Sequence, residues 1–192
     1  NGYLFIDMNC AKVDLLQSLA QERPNVKIYP GDCNKILLED VFPQIRYDEY
    51  KRALCILDPY GLHLNWEIIK KAAEMKTIEI FLNFPIMDMN MNVLKRDKST
   101  VLPSQLERMN KFWGDQSWEE AAYDTEYDLF GFPEKTDNDS IVAAFQKRLK
   151  TVAGFKYVPK PLAMHNTSNA IVYYLFFASH NETGYKIANH IF

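Results

Sequence analysis

Residues 53–61, Ala53-Leu54-Cys55-Ile56-Leu57-Asp58-Pro59-Tyr60-Gly61, decide how the rest of the chain is read. An unbroken apolar run, ended by an acid and a Pro-aromatic-Gly turn, predicts a strand covered on both faces, as in a parallel sheet between helix layers. Upstream, Tyr3-Leu4-Phe5-Ile6-Asp7 predicts another short strand, and Val13, Leu16 and Leu19 then fall on one face of a helix. Val26 to Tyr29 predicts the next strand, stopped by Pro30-Gly31, after which Asp32 or Asn34 caps a helix bearing Ile36, Leu37 and Val41. Downstream, Asn65 caps a helix that buries Trp66, Ile69 and Ala73, and residues 78–84 predict a fourth strand ended by Pro85. Strands alternating with helices in this way predict an α/β fold, doubly wound and mostly parallel.

From about residue 86 to 131 the character changes. The Met-rich stretch Met87-Asp88-Met89-Asn90-Met91 leads to a loop and a helix ending in Met109-Asn110-Lys111-Phe112-Trp113-Gly114. A second helix is predicted over 118–129, and the whole reads as a helical insertion in a single domain spanning 1–192. The methionines suit either core gap-filling or an adaptable contact surface. Asp139 or Ser140 then caps a helix over 141–152 that Gly154 terminates. Two final strands, 155–162 and 170–178, are joined by a loop too short for a helical crossover and are therefore antiparallel. A helix over 183–191 closes the chain.

The 192 residues carry a net charge of −3, so no global basic field advertises nucleic-acid binding. Local basic clusters at Lys70-Lys71, Lys95-Arg96-Lys98 and Lys147-Arg148-Lys150 read first as solvated helix faces. No run of about 18 apolar residues appears, so no membrane span is expected, and the start lacks the pattern of a signal peptide. Cys10, Cys33 and Cys55 are widely spaced, with no Cys-x-x-Cys pair, so no metal site is expected. With no export signal, the reduced cytoplasm is the expected compartment, and sequons at Asn138, Asn166 and Asn181 are read as chance matches.

Asp7, Gly31-Asp32 and Asp58 each follow a predicted strand. In an open α/β sheet, ligands sit beyond the carboxyl ends of the strands. Acids placed there accept hydrogen bonds from ribose hydroxyls or an exocyclic amine. In Asp58-Pro59-Tyr60, the side-chain oxygen can take an amine while the ring stacks on a heterocycle. The competing account is that Asp58 caps a turn and Pro59-Tyr60 only redirects the chain. His63, His165, His180 and His190 form no triad spacing, and no Gly-x-Gly-x-x-Gly or Walker-type loop is present.

Taken together, Cys55-Ile56-Leu57-Asp58-Pro59-Tyr60-Gly61 with the Trp66 helix, residues 80–84, residues 109–115, residues 154–158, residues 173–179 and Gly184-Tyr185-Lys186-Ile187-Ala188 resemble the three-Cys-motif partner proteins, called TcmP. That bacterial and phage-associated family resembles the class I S-adenosylmethionine-dependent methyltransferases, with a Rossmann-like sheet. The resemblance implies S-adenosylmethionine as cofactor, held by Asp7 and Met8 at the ribose and by Gly31, Asp32 and Cys33 at the adenine. It implies Asp58, Pro59 and Tyr60 as the catalytic turn of an amino-group methyltransferase, although the usual form of that turn has two prolines. The acceptor is expected to be a nucleobase or a similar nucleotide or nucleic-acid substrate. A partner protein with a three-cysteine motif, of the radical S-adenosylmethionine kind, is also implied. On that alternative the chain binds its partner without catalysing anything, with the Met-rich stretch, Trp113 and Trp118 as contacts. The family begins with an Asp-containing strand and a Gly-rich loop, so such a segment is expected upstream of Asn1.

Overall fold

The computed structural model describes residues 2–127 and 133–192. Strand β1 (Tyr3–Asp7) leads into helix α1 (Cys10–Ala20), whose N-cap Asn9 accepts from the Lys12 amide. Strand β2 (Val26–Pro30) returns parallel to β1, with Tyr3 opposite Val26 and Asp7 opposite Pro30. Helix α2 (Cys33–Ile36) begins at the Asp32 cap and continues through a π-turn and a 3-10 turn to Gln44. Ile36, Leu37, Val41 and Phe42 along this run are buried.

Strand β3 (Ala53–Leu57), helix α3 (Trp66–Met75) and strand β4 (Ile78–Phe84) repeat the same unit, and β3 and β4 are parallel. Along β4 the period-two alternation places Ile78, Ile80, Leu82 and Phe84 in the core. Strands β7 (Leu162–His165) and β8 (Ile171–Ala178) form a hairpin, and β8 inserts antiparallel against β4. The four-stranded sheet therefore runs β3-β4-β8-β7, while β1 and β2 form a sheet of their own.

The architecture is mixed α/β, as expected, but the expectation of a mostly parallel sheet is not met in the larger sheet. There, one strand contact is parallel and two are antiparallel, because both neighbours of β8 meet it in the opposite direction. Nor is β3 covered on both faces: Leu54 and Ile56 are 55% and 70% exposed. Among the described residues β3 pairs only with β4 and β1 only with β2, so one edge of each has no strand beside it there.

Between β4 and β7 lies the expected insertion, with differences. The Met-rich stretch forms helix α4 (Ile86–Asn92); Met89 is buried in the core while Met87 and Met91 are exposed. Helix α5 (Pro103–Trp113) ends at Gly114, whose φ of 101° suits glycine and which leaves no room for a side chain against Trp66. The second helix, α6 (Trp118–Ala122), is shorter than expected and gives way to strand β5 (Tyr123–Tyr127), paired antiparallel with β6 (Pro133–Lys135). The remaining tip of the expected helix lies outside the described residues.

Helix α7 (Asn138–Arg148) is capped by Asp137, one turn earlier than anticipated, and its π-helical extension ends at Gly154 with φ 96°. Helix α8 (Glu182–Ile191) is capped by Asn181. The expected strand at 155–162 begins only at Leu162; before it, Tyr157 makes a single bridge to Ser179.

An aromatic cluster holds the larger unit together. The ring of Phe145 on α7 lies 4.6 Å from Phe84, 5.3 Å from Trp113 and 5.3 Å from Phe176, joining α5, α7 and the sheet. Such pairs add to the area that burial removes from water. Arg148, read from sequence as part of a solvated basic face, is instead buried. Its guanidinium donates to the Trp113 carbonyl and the Ser117 hydroxyl, pairs with Asp115 at 2.7 Å and lies over the Trp66 ring. Partial burial pushes the Asp115 carboxyl up, but hydrogen bonds from Ser117 and Arg148 outweigh it and hold the group below its ordinary value. No helix of the described residues is long and apolar enough to cross a membrane.

Candidate functional site

The carboxyl ends of β1, β2 and β3 carry the acids singled out in the sequence. Asp7 is the last residue of β1; its Oδ1 accepts from the Asn9 amide and its Oδ2 lies 3.8 Å from the Lys12 ammonium. Its backbone carbonyl accepts from the Gly31 amide, which ties the end of β1 to the turn after β2. Gly31 adopts φ 138°, a left-handed-side conformation that a side chain rarely tolerates, and an added Cβ would press on Ile36 at 3.1 Å. Met8, beside Asp7, is 71% exposed on the same rim.

Asp32 caps α2, its Oδ1 accepting from both the amide and the side-chain amide of Asn34. Asn34 in turn donates to the His63 carbonyl and accepts from the Asn65 amide. This side chain stitches the β2 turn to the loop that follows Asp58. One polar bridge thus draws the ends of the two sheets together, and sequence reasoning had given Asn34 only the lesser task of a possible cap. Cys33 contributes a neutral thiol: burial, and then the Asp32 carboxylate, raise its pKa. Burial pushes the nearby Cys55 thiol up to about 12, with Cys33 adding to the effect, so neither is an activated nucleophile.

Asp58 is exposed beyond β3, and its Oδ1 accepts from the side-chain amide of Asn83 at 2.6 Å. Because a carboxylate only accepts, this contact fixes which end of the Asn83 amide is nitrogen. Its oxygen is then buried with no partner among the described residues. Pro59 redirects the chain and Tyr60 projects into solvent at 92% exposure, a ring with one face free to stack. Gly61 has φ 59°, and a side chain there would strike the Asp88 carboxylate at 2.9 Å.

The Gly31 amide thus ties the end of β1 to the turn after β2, and Asn34 ties that turn to the loop that follows Asp58. Between the Tyr60–His63 turn and helices α4 and α5 lies a cleft of about 130 Å³, lined by Asp88, Asn92, Gln105 and Arg108. The sequence reading missed these residues. Their signal was present only as spacing: Asp88 and Asn92 are four apart, Gln105 and Arg108 three apart, and each pair therefore shares a helix face. Asp7, Asp32 and Asp58 offer acceptor oxygens and the Gly31 turn a close backbone approach, a donor-seeking set that fits a ligand with sugar hydroxyls and an amine. No cluster of His, Cys, Asp or Glu able to hold a metal occurs among the described residues. No protein-family model matches the chain, and no curated protein matches it.

Proposed function

We propose that the chain is an S-adenosylmethionine-dependent methyltransferase of the TcmP kind, acting on an amino group of a nucleobase or similar acceptor. The observation that carries this reading is the joining of three strand ends. Asp7 ends β1, Asp32 follows β2 and Asp58 follows β3; the Gly31–Asp7 hydrogen bond joins the first two ends, and Asn34–His63 ties the second to the loop five residues beyond Asp58. The Rossmann-like sheet belongs to the same proposal: β2-β1 and β3-β4-β8-β7 are its two sides, and a strand parallel to both belongs between β1 and β3.

On this reading Asp7 takes the sugar hydroxyls, Met8 covers the rim, and Asp32 with the Gly31 and Cys33 backbone meets the base of the cofactor. S-adenosylmethionine supplies an electrophilic methyl group on a sulfonium. Tyr60 stacks on the acceptor ring, and Asp58, held by Asn83, accepts from the acceptor amine and aims its lone pair. Bound there, the cofactor would give its methyl carbon to that lone pair and leave as the neutral thioether, keeping the electron pair of the carbon–sulfur bond. The proton displaced from nitrogen leaves through the Asp58 carboxylate to solvent.

Calorimetric titration with S-adenosylmethionine tests this: binding is expected, and no heat at millimolar ligand overturns it. Asp58→Ala is expected to abolish turnover while the melting temperature stays unchanged.

A second reading, a methyltransferase fold that serves only as partner to a three-cysteine-motif protein, is favoured by the uncovered apolar edges. Tyr3 and Phe5 on β1 are 56% and 44% exposed, and Leu54 and Ile56 on β3 are exposed as well. Long unprotected apolar edges are pairing sites for another chain. Co-expression and pull-down with such a protein tests it, and two well-expressed chains that never associate count against it.

A further inference from the structure

Resting on the methyl-transfer reading, we infer that the acceptor is a small nitrogen heterocycle bearing an anionic group. It is bound in the cleft between residues 60–63 and helices α4 and α5. The inference comes from how this cleft is furnished. Helices α4 and α5 are otherwise packed on buried apolar residues, Met89, Met109, Phe112 and Trp113. Toward the Tyr60–His63 turn they present instead Asp88, Asn92, Gln105 and Arg108.

The polar groups are wired in series. The Leu102 backbone amide donates to Gln105 Oε1, Gln105 Nε2 to Asn92 Oδ1 at 3.2 Å, and Asn92 Nδ2 to Asp88 Oδ1 at 2.8 Å. Each link fixes the orientation of the next, so Asp88 is held as an acceptor with Oδ2 turned to the Gly61 face. That oxygen has no hydrogen-bond partner among the described residues. A carboxylate so placed receives an N–H edge. Arg108, exposed and with no ion pair or hydrogen bond among the described residues, brings a cation to the same cleft, suited to a phosphate or carboxylate.

Size narrows the class further. At about 130 Å³ the cleft is well below the roughly 300 Å³ at which pockets for drug-sized ligands begin. It admits one ring system, not a folded nucleic acid. The exposed Tyr60 ring lines the same cleft and stacks on that ring, while Asp88 and Arg108 select the molecule.

The test is a titration of the whole chain, followed by ligand-observed NMR, with cytidine and adenosine monophosphates and with the corresponding nucleosides. Monophosphates are expected to bind about tenfold more tightly than nucleosides, the scale of one charge-assisted contact. Arg108→Gln is expected to erase that difference, and Asp88→Asn to weaken monophosphate and nucleoside alike. Equal affinities in the parent chain, or variants that leave the affinities as they were, overturn the inference. Titrating the same samples with S-adenosylmethionine separates the two proposals, because Asp88→Asn and Arg108→Gln are expected to leave that affinity intact. Monophosphate binding without S-adenosylmethionine binding removes the enzyme reading and keeps the cleft. S-adenosylmethionine binding with no monophosphate binding removes the cleft assignment alone. Both variants change exposed or half-buried polar groups, and thermal melts matching the parent confirm that they fold.

Discussion

Residues 2–30 and the block built on β3, β4 and β8 use the same unit, a strand, a helix and a parallel strand, and bury it very differently. In the first, Val13 alone is buried, and α1 leaves Leu15 and Leu19 60% and 64% exposed. In the second, Ile68, Ile69, Ile80, Leu82, Phe84, Phe145 and Phe176 are fully buried. Helical and strand propensity are similar in both, so propensity does not make the difference. What differs is layering: the second unit has α3, α5 and α7 packed over one face of its sheet, and the first has a single helix against a two-stranded ribbon. An isolated two-stranded unit is marginal in water. Stability is therefore concentrated around Phe145, and the strand-end acids Asp7 and Asp32 stand on the weaker unit.

The largest expected effect sharpens this contrast. Phe145→Ala removes a ring that touches Phe84, Phe112, Trp113 and Phe176, and is expected to cost about 3–5 kcal/mol. For a chain of this length that corresponds to a melting-temperature fall of roughly 6–20 °C. Val13→Ala, in the first unit, is expected to cost less than half as much. Equal losses in urea unfolding would break the comparison.

Next in size is Arg148→Met. The substitution keeps the stem that packs beside Trp66 and deletes the donors to Trp113, Ser117 and Asp115. Breaking a fully buried pair costs about 3–5 kcal/mol, but Asp115 is about half exposed, so about 2–3 kcal/mol is expected. Arg148→Lys recovers only part of it, since an ammonium reproduces neither the fork nor the stacking on Trp66.

Arg148 also marks where the sequence stopped being readable. Periodicity revealed the strands and helices of 3–84 because each is local, and it placed Asp7, Asp32 and Asp58 after their strands for the same reason. It gave Arg148 to a solvated face because the neighbours that bury it, Trp113 and Asp115, lie more than thirty residues away. The Asn34 bridge and the Asp88 cleft were hidden likewise: both depend on where a distant loop comes to rest. The mostly parallel sheet failed at β8, whose direction is set by its hairpin with β7 and not by any pattern inside the strand. The short helix α6 failed because Tyr123–Tyr127 pairs with Pro133–Lys135, a partner that overrides local helical preference.

A smaller effect concerns pH in the well-packed unit. His180 lies with Nε2 2.8 Å from the Ala73 carbonyl and its ring against Phe155. Burial lowers its pKa from 6.5, and the Lys76 and Lys156 charges add to this, while the hydrogen bond to Ala73 opposes it. The folded state thus binds this proton less readily than the unfolded chain. Its contribution is full above about pH 6.5 and is lost as pH falls below that value. The urea midpoint is expected to fall between pH 7.5 and 5.5, and to fall less in His180→Gln. An unchanged pH slope in that variant would show that the ring is solvated and that the packing contrast is overstated at this end of the sheet.

The smallest expected effect is the most direct probe of the open edge. Ile56 on β3 lies opposite Phe81 and is 70% exposed, whereas Ile80 on β4, opposite Cys55, is fully buried. Ile56→Ser is expected to change stability by no more than about 0.5 kcal/mol, as at other surface positions. Ile80→Ser removes a buried side chain and places a hydroxyl in the core, and is expected to cost at least about 3 kcal/mol. A loss at Ile56 comparable to that at Ile80 would mean that β3 is covered in solution. The two units would then share one continuous sheet, and the weak burial of residues 2–30 would belong to the isolated chain alone.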